Sequence, residues 1–321
     1  MVIERLSQLE ITNADIEWVE SIMGFHFDNE RRTILKSMES VDIQAFPGSG
    51  KTTTLIAKLA ILARKWPFSY SGICVLSHTN VAREEIEQRL GNTDIGNKLL
   101  KYPHFIGTLH SFFDTFVALP WIRSKNIRIN MIDSDLVRHS RWCSLPYGTR
   151  ICLEKNYKDE KICCYSGGIG LIDWDKQGET RQNILNIIQE SQSNGYFTFD
   201  EMLMYAKQAL GECSALCIGL QQRFPIIFID EAQDTNSFQF QLIHKAFPDD
   251  SSLSYRQGFG DSNQAIYNYF NEVVEQPEFP RKQPLLLSKS QRFDDRIAQL
   301  ANTVAISAEQ MHGTGNDFSN R

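Results

Sequence analysis

The sequence has no apolar run long enough to span a bilayer, and its N-terminus, MVIERLSQLEITNADIEWVE, sets charges where a signal peptide needs an apolar core. The expectation is a cytoplasmic protein with no membrane contact. Paired Cys-x-x-Cys hooks are also missing, and the seven cysteines, at 74, 143, 152, 163, 164, 213 and 217, are odd in number. A tetrahedral zinc site is thereby disfavoured and reduced, structural thiols are expected. Positive charge is scarce: 33 Lys and Arg against 39 Asp and Glu leave a formal net charge of −6. A chain coated in nucleic-acid-binding charge would be basic, so any contact with phosphate backbones must be local. Internal repeats and low-complexity tracts are absent.

What is present suffices for about two compact domains: 321 residues, 42% of them hydrophobic. Three short apolar runs, residues 41–45, 73–76 and 226–229, read as buried parallel strands, each followed by polar or glycine-rich residues and a helical pattern. That order defines an α/β domain with a parallel sheet. The span between the second and third runs is far longer than a crossover helix needs, which predicts an inserted, mainly helical subdomain at 119–195. Residues 121–161 hold nine Lys or Arg against five Asp or Glu, interleaved with Trp121, Trp142, Tyr147 and Tyr157. Such a stretch suits either a phosphate backbone or a solvated helical surface.

The chemistry concentrates after the first and third strands. Ala45-Phe46-Pro47-Gly48-Ser49-Gly50-Lys51-Thr52-Thr53 lies between a strand and a helix, where glycine-flanked backbone N–H groups wrap phosphate oxygens at a helix N-terminus. Lys51 would reach the outer phosphates and the Thr52 hydroxyl would hold Mg²⁺, although the strict pattern wants glycine where Ala45 stands. Asp230 and Glu231 follow the third strand directly. The first is placed to associate with the metal, the second to orient or deprotonate an attacking water. ATP and Mg²⁺ are the ligands these two motifs imply.

Together, A-x-P-G-S-G-K-T and D-E-A-Q-D resemble the UvrD/Rep branch of superfamily 1 helicases, and further motifs follow in order. Ser77-His78-Thr79-Asn80 resembles motif Ia and Gly107-Thr108-Leu109-His110-Ser111 resembles motif Ib. The resemblance implies that Thr79, Asn80, Thr108, His110 and Ser111 face single-stranded DNA. Gly260 to Tyr267 resembles motif III, which implies that Gln264 senses the γ-phosphate and that Tyr267 and Tyr269 stack on bases. Leu287 to Phe293 resembles motif IV, with Arg292 as its phosphate-touching arginine. Arg31 stands where the family has an adenine-reading glutamine, which puts strict adenine selection in doubt.

The implied architecture is a RecA-like P-loop domain at 1–118 and 196–282, the insert at 119–195, and the start of a second RecA-like domain at 283–321. Motifs V and VI have no counterpart here. The expectation is therefore a truncated motor, or one completed by a partner in trans. The implied activity is ATP-dependent translocation on single-stranded DNA, 3′ to 5′. The alternative is an ATP- and DNA-sensing regulatory subunit. F-G-D-S-N-Q-A-I-Y with D-E-A-Q-D-T-N is also similar to UvrD-like proteins of the Gabija antiphage system, which pair with an OLD-family nuclease.

Overall fold

The computed structural model describes residues 9–91, 93–156, 178–265, 279–281, 283–305 and 310–314. It divides into two compact units, Met1–Leu109 with Cys217–Arg321, and His110–Leu216.

The first unit is built on a six-stranded sheet in which every neighbouring pair is parallel, in the order β3-β2-β6-β7-β1-β8. The strands are β1 (Val41–Ala45), β2 (Ile73–Ser77), β3 (Phe105–Thr108), β6 (Ile226–Asp230), β7 (Tyr255–Gly260) and β8 (Leu285–Leu287). β2 and β6 are buried along their whole length, as continuous apolar runs require when both faces are covered. Helices α1 (Asn13–Met23), α2 (Asn29–Lys36) and α3 (Lys51–Lys65) pack with the sheet into one core. α3 buries ten consecutive residues, Thr54 to Ala63, because it lies between the sheet and α1 and α2. Among them is Lys58, fully buried, whose Nζ donates to Ile34 O and Gln257 Oε1, both at 2.8 Å.

The three apolar runs expected as strands are β1, β2 and β6. β7 escapes an apolar scan because Arg256 and Gln257 are polar yet buried. Arg256 meets Asp249 at 2.9 Å, and Gln257 accepts from Lys58 and donates to Glu39 O. Residues 283–321 were expected to open a second domain. Of these, Leu285–Leu287 extend the first sheet at its edge beside β1. There Leu287 joins the core and Leu285 packs against it.

The second unit is wider than the insert expected at 119–195, because the helical run through residue 124 packs against the helix Phe199–Glu212. That helix begins with Thr198 and Glu201 capping one another's backbone N–H groups. A short parallel pair, β4 (Met131–Ile132) and β5 (Tyr196–Phe197), lies in the same unit. Glu201 also accepts from Arg141 Nη1 at 2.8 Å and Nη2 at 2.9 Å, with both side chains buried. Removing one partner strands the other charge, so Glu201→Ala is expected to destabilise this unit by about 3–5 kcal/mol. Urea unfolding followed by circular dichroism measures the loss. No helix among the described residues is long and apolar enough to cross a membrane.

Candidate functional site

β1 and β6 deliver their carboxyl ends to the same edge of the parallel sheet, where ligands of open α/β sheets bind. After Ala45, buried at the end of β1, the chain turns through Pro47, Gly48, Ser49 and Gly50 into α3. Gly48 and Gly50 take φ of 72° and 82°, left-handed values that a side chain resists. Gly50 is the N-cap and brings no side-chain cap, so the first N–H groups of α3 face outward with the positive end of the helix dipole. Ser49 Oγ is buried with no hydrogen-bond partner among the described residues. A buried hydroxyl left that way costs roughly 1–3 kcal/mol, which an acceptor in the loop would recover. The loop thus fits a phosphate-bearing ligand.

Lys51 opens α3 and points across the sheet edge. Its Nζ is ion-paired with Glu231 and lies 3.9 Å from Asp230 Oδ1. Burial pushes the Asp230 carboxyl up to about 6, against the Lys51 ammonium that draws it down, and the Glu231 charge adds to the rise. For Glu231, burial acts in the raising direction too, but Lys51 and the Gln233 amide outweigh it and hold this carboxyl below its ordinary value. Glu231 has φ 51° and ψ 47°, a left-handed conformation for a residue with a side chain. Such a backbone costs about 1–3 kcal/mol and persists only where its surroundings over-determine it.

Among the described residues no group of three or more His, Cys, Asp or Glu is arranged to hold a metal ion alone. Mg²⁺ does not need one, since it is usually held by one or two protein groups together with substrate phosphates. Asp230, a buried carboxylate at a strand end, and the Thr52 hydroxyl in the first turn of α3 fit that role. Thr53, beside it, accepts from Arg89 Nη1 at 2.8 Å.

The segment after β8 folds onto the loop. Gln291 N–H donates to Gly48 O at 2.8 Å, and Ser290 Oγ donates to Pro47 O at 2.9 Å. A Cβ on Gly48 would stand 2.5 Å from the Cβ of Arg292 and 2.9 Å from Ser290 Oγ. Gly48→Ala is therefore expected to displace the loop as well as strain its backbone, weakening ATP binding about tenfold or more. Titration with a fluorescent ATP analogue reads this directly. The Arg292 side chain is exposed beside the loop.

Arg31, which stands where the family has its adenine-reading glutamine, lies against the phosphate loop. Its guanidinium is buried, paired with Asp28, bonded to Ser49 O, and 3.2 Å from Lys289 O. It braces the phosphate loop and the segment after β8 from beneath.

Gln264 ends a short 3₁₀ turn after β7 and is exposed. Thr79 and Asn80 follow β2 and are exposed, while Thr108 ends β3 half-buried. His110 and Ser111 belong to the second unit, where the His110 ring meets Phe199 edge-on. Tyr267 and Tyr269 lie outside the described residues. The geometry adds residues that the motifs did not single out. His78 Nε2 lies 3.1 Å from Thr235 Oγ1, which joins the turn after β2 to the one after β6. Gln44, Gln233 and Asp261 form a buried network behind Glu231. The signal available for Gln44 was a polar residue in an otherwise buried strand.

Fold and site together define a RecA-like P-loop domain. The UvrD/REP helicase N-terminal domain family matches residues 28–141 and 151–275, and the chain belongs to that family. It is 24% identical to a probable DNA helicase II homolog of Mycoplasma capricolum, across 94% of this chain and 41% of the relative. Against DNA helicase II of Escherichia coli K12 the identity is 23%, across 86% and 40%. The Gabija protein GajB of Bacillus cereus is 27% identical across 76% of this chain and 42% of its own length. The chain thus spans about two-fifths of the length of these curated relatives.

Proposed function

We propose that this chain carries the ATP-binding part of a motor that hydrolyses ATP and moves along single-stranded DNA, 3′ to 5′. The observation that carries the reading is Lys51 set between Asp230 and Glu231 above an uncapped glycine turn at the head of α3. In this reading Ala45 to Thr53 hold the triphosphate, and Thr52 and Asp230 hold Mg²⁺. When bound, that ion supplies charge neutralisation at the phosphates. Glu231 orients the attacking water and takes its proton. Gln264 and Arg292 respond to the terminal phosphate from the turns after β7 and β8, and Arg31 keeps the loop in place.

Thr79, Asn80 and Thr108 of the first unit, and separately His110 and Ser111 of the second, are read as contacting DNA, to which the family resemblance adds Tyr267 and Tyr269. Met1–Leu109 with Cys217–Arg321 is read as the ATP-binding domain and His110–Leu216 as the inserted subdomain. A DNA substrate supports the reading of a cytoplasmic location.

A second reading is favoured by the likeness to GajB: an ATP- and DNA-sensing subunit that controls an OLD-family nuclease in antiphage defence without unwinding. ATP-driven release of streptavidin from biotinylated single strands separates the two. Faster release from the 5′ end supports 3′-to-5′ movement. No release at either end, with ATP altering cleavage by a co-purified nuclease, supports the sensor.

A further inference from the structure

Behind Glu231 lie two buried side-chain amides, Gln44 and Gln233, that bond to groups at neighbouring strand ends. Gln44, fully buried on β1 one residue before Ala45, donates from Nε2 to Asp261 Oδ1 at 3.1 Å. Its Oε1 accepts from the Ser262 N–H at 3.3 Å. Gln233, also buried, accepts from the Asp261 N–H at 3.0 Å through Oε1 and donates from Nε2 to Glu231 Oε2 at 2.9 Å.

Sheet register brings these groups together, since Gln44 pairs with Gly260, the residue before Asp261. Gly260 is required there: a Cβ would collide with Gln233 Oε1 and stand 2.9 Å from the Phe279 ring. Beyond Asp261 the turn is held as a piece, with the Gln264 N–H donating to Asp261 O at 2.9 Å and the Asn263 N–H to Asp261 Oδ1 at 3.0 Å.

The Gln233 amide cannot be reversed. Flipped, it would set its NH₂ against the Asp261 N–H and its oxygen against the Glu231 carboxylate. An amide engaged at both ends in a low-dielectric interior has one orientation, and a shift at one end moves the other. From this geometry we infer that Gln233 is a positioning residue, which ties the aim of the Glu231 carboxylate to the position of the Asp261–Gln264 turn. The inference deepens the hydrolysis reading above and rests on it. The turn carries Gln264, so a displacement felt there reaches the general base through one side chain.

The test is steady-state ATP hydrolysis by the full chain with saturating single-stranded DNA, for wild type, Gln233→Met, Glu231→Gln and the double variant. Gln233→Met is expected to lower kcat about tenfold or more while leaving the KM for ATP and fluorescent-nucleotide affinity within about twofold. With Glu231 already replaced by Gln, the same change should cost less than about twofold. Gln233→Glu keeps an acceptor for the Asp261 N–H but loses the donor to Glu231, and the same loss is expected. It carries the test if thermal unfolding shows the Met variant misfolded.

Wild-type kcat in either folded variant, a loss confined to KM, or equal fold-losses in both backgrounds would overturn the positioning role alone. A wild-type chain that turns over no ATP overturns the hydrolysis reading, and this role with it.

Discussion

Lys51→Ala is expected to abolish tight binding of ATP. The ammonium is the cation between two carboxylates: it is paired with Glu231 and 3.9 Å from Asp230. Removing it deletes a charge-assisted contact to the phosphates and leaves both carboxylates facing an incoming polyanion. Burial already lifts Asp230 to about 6 and Lys51 pulls the other way, so its loss moves that carboxyl further up and weakens the hold on a divalent cation. Together these effects should cost about 3–4 kcal/mol, or 10²- to 10³-fold in Kd. Isothermal titration with a non-hydrolysable ATP analogue and Mg²⁺ measures it. An unchanged Kd would mean that the backbone nest and α3 alone hold the nucleotide.

Glu231→Gln should separate binding from chemistry. Glutamine keeps the length and shape of the side chain and can still meet the Gln233 amide through its oxygen, so the loop and Lys51 remain available to ATP. It cannot accept the proton of a water. The expected loss in kcat is about 10²- to 10³-fold with an ATP affinity no weaker than wild type. Removing the Glu231–Lys51 pair frees the ammonium for phosphate, which argues for equal or tighter binding. Single-turnover hydrolysis alongside nucleotide titration checks both halves. Full turnover in this variant would move the base to Asp234 or Asp261, carboxyls that burial raises and that Lys51 draws down.

The contrast between these two residues shows where the sequence was informative. The phosphate loop and the Asp230-Glu231 pair were legible because each follows a short, largely buried strand, and a strand end followed by glycine or acid is a local signal. β7 was not legible, because its interior positions are Arg256 and Gln257, whose partners Asp249, Lys58 and Glu39 are distant or unpatterned in sequence. β8 has three residues, too few for periodicity to distinguish an edge strand from the opening of another domain. Arg31 could be aligned with a motif, but its contacts with Ser49 O and Lys289 O depend on the tertiary fold. The Gln44, Asp261 and Gln233 network was hidden for the same reason, since register brings Gln44 opposite Gly260. Local chemistry reads from the chain, whereas the positioning of that chemistry is tertiary.

The central claim is that the Lys51, Asp230 and Glu231 cluster hydrolyses ATP in response to DNA. Steady-state ATP hydrolysis by the purified chain, with and without single-stranded DNA and with Glu231→Gln beside it, tests this most directly. The account predicts turnover that rises when DNA is added and falls about 10²- to 10³-fold in the variant. Turnover equal in the presence and absence of DNA, or equal in both proteins, would contradict it.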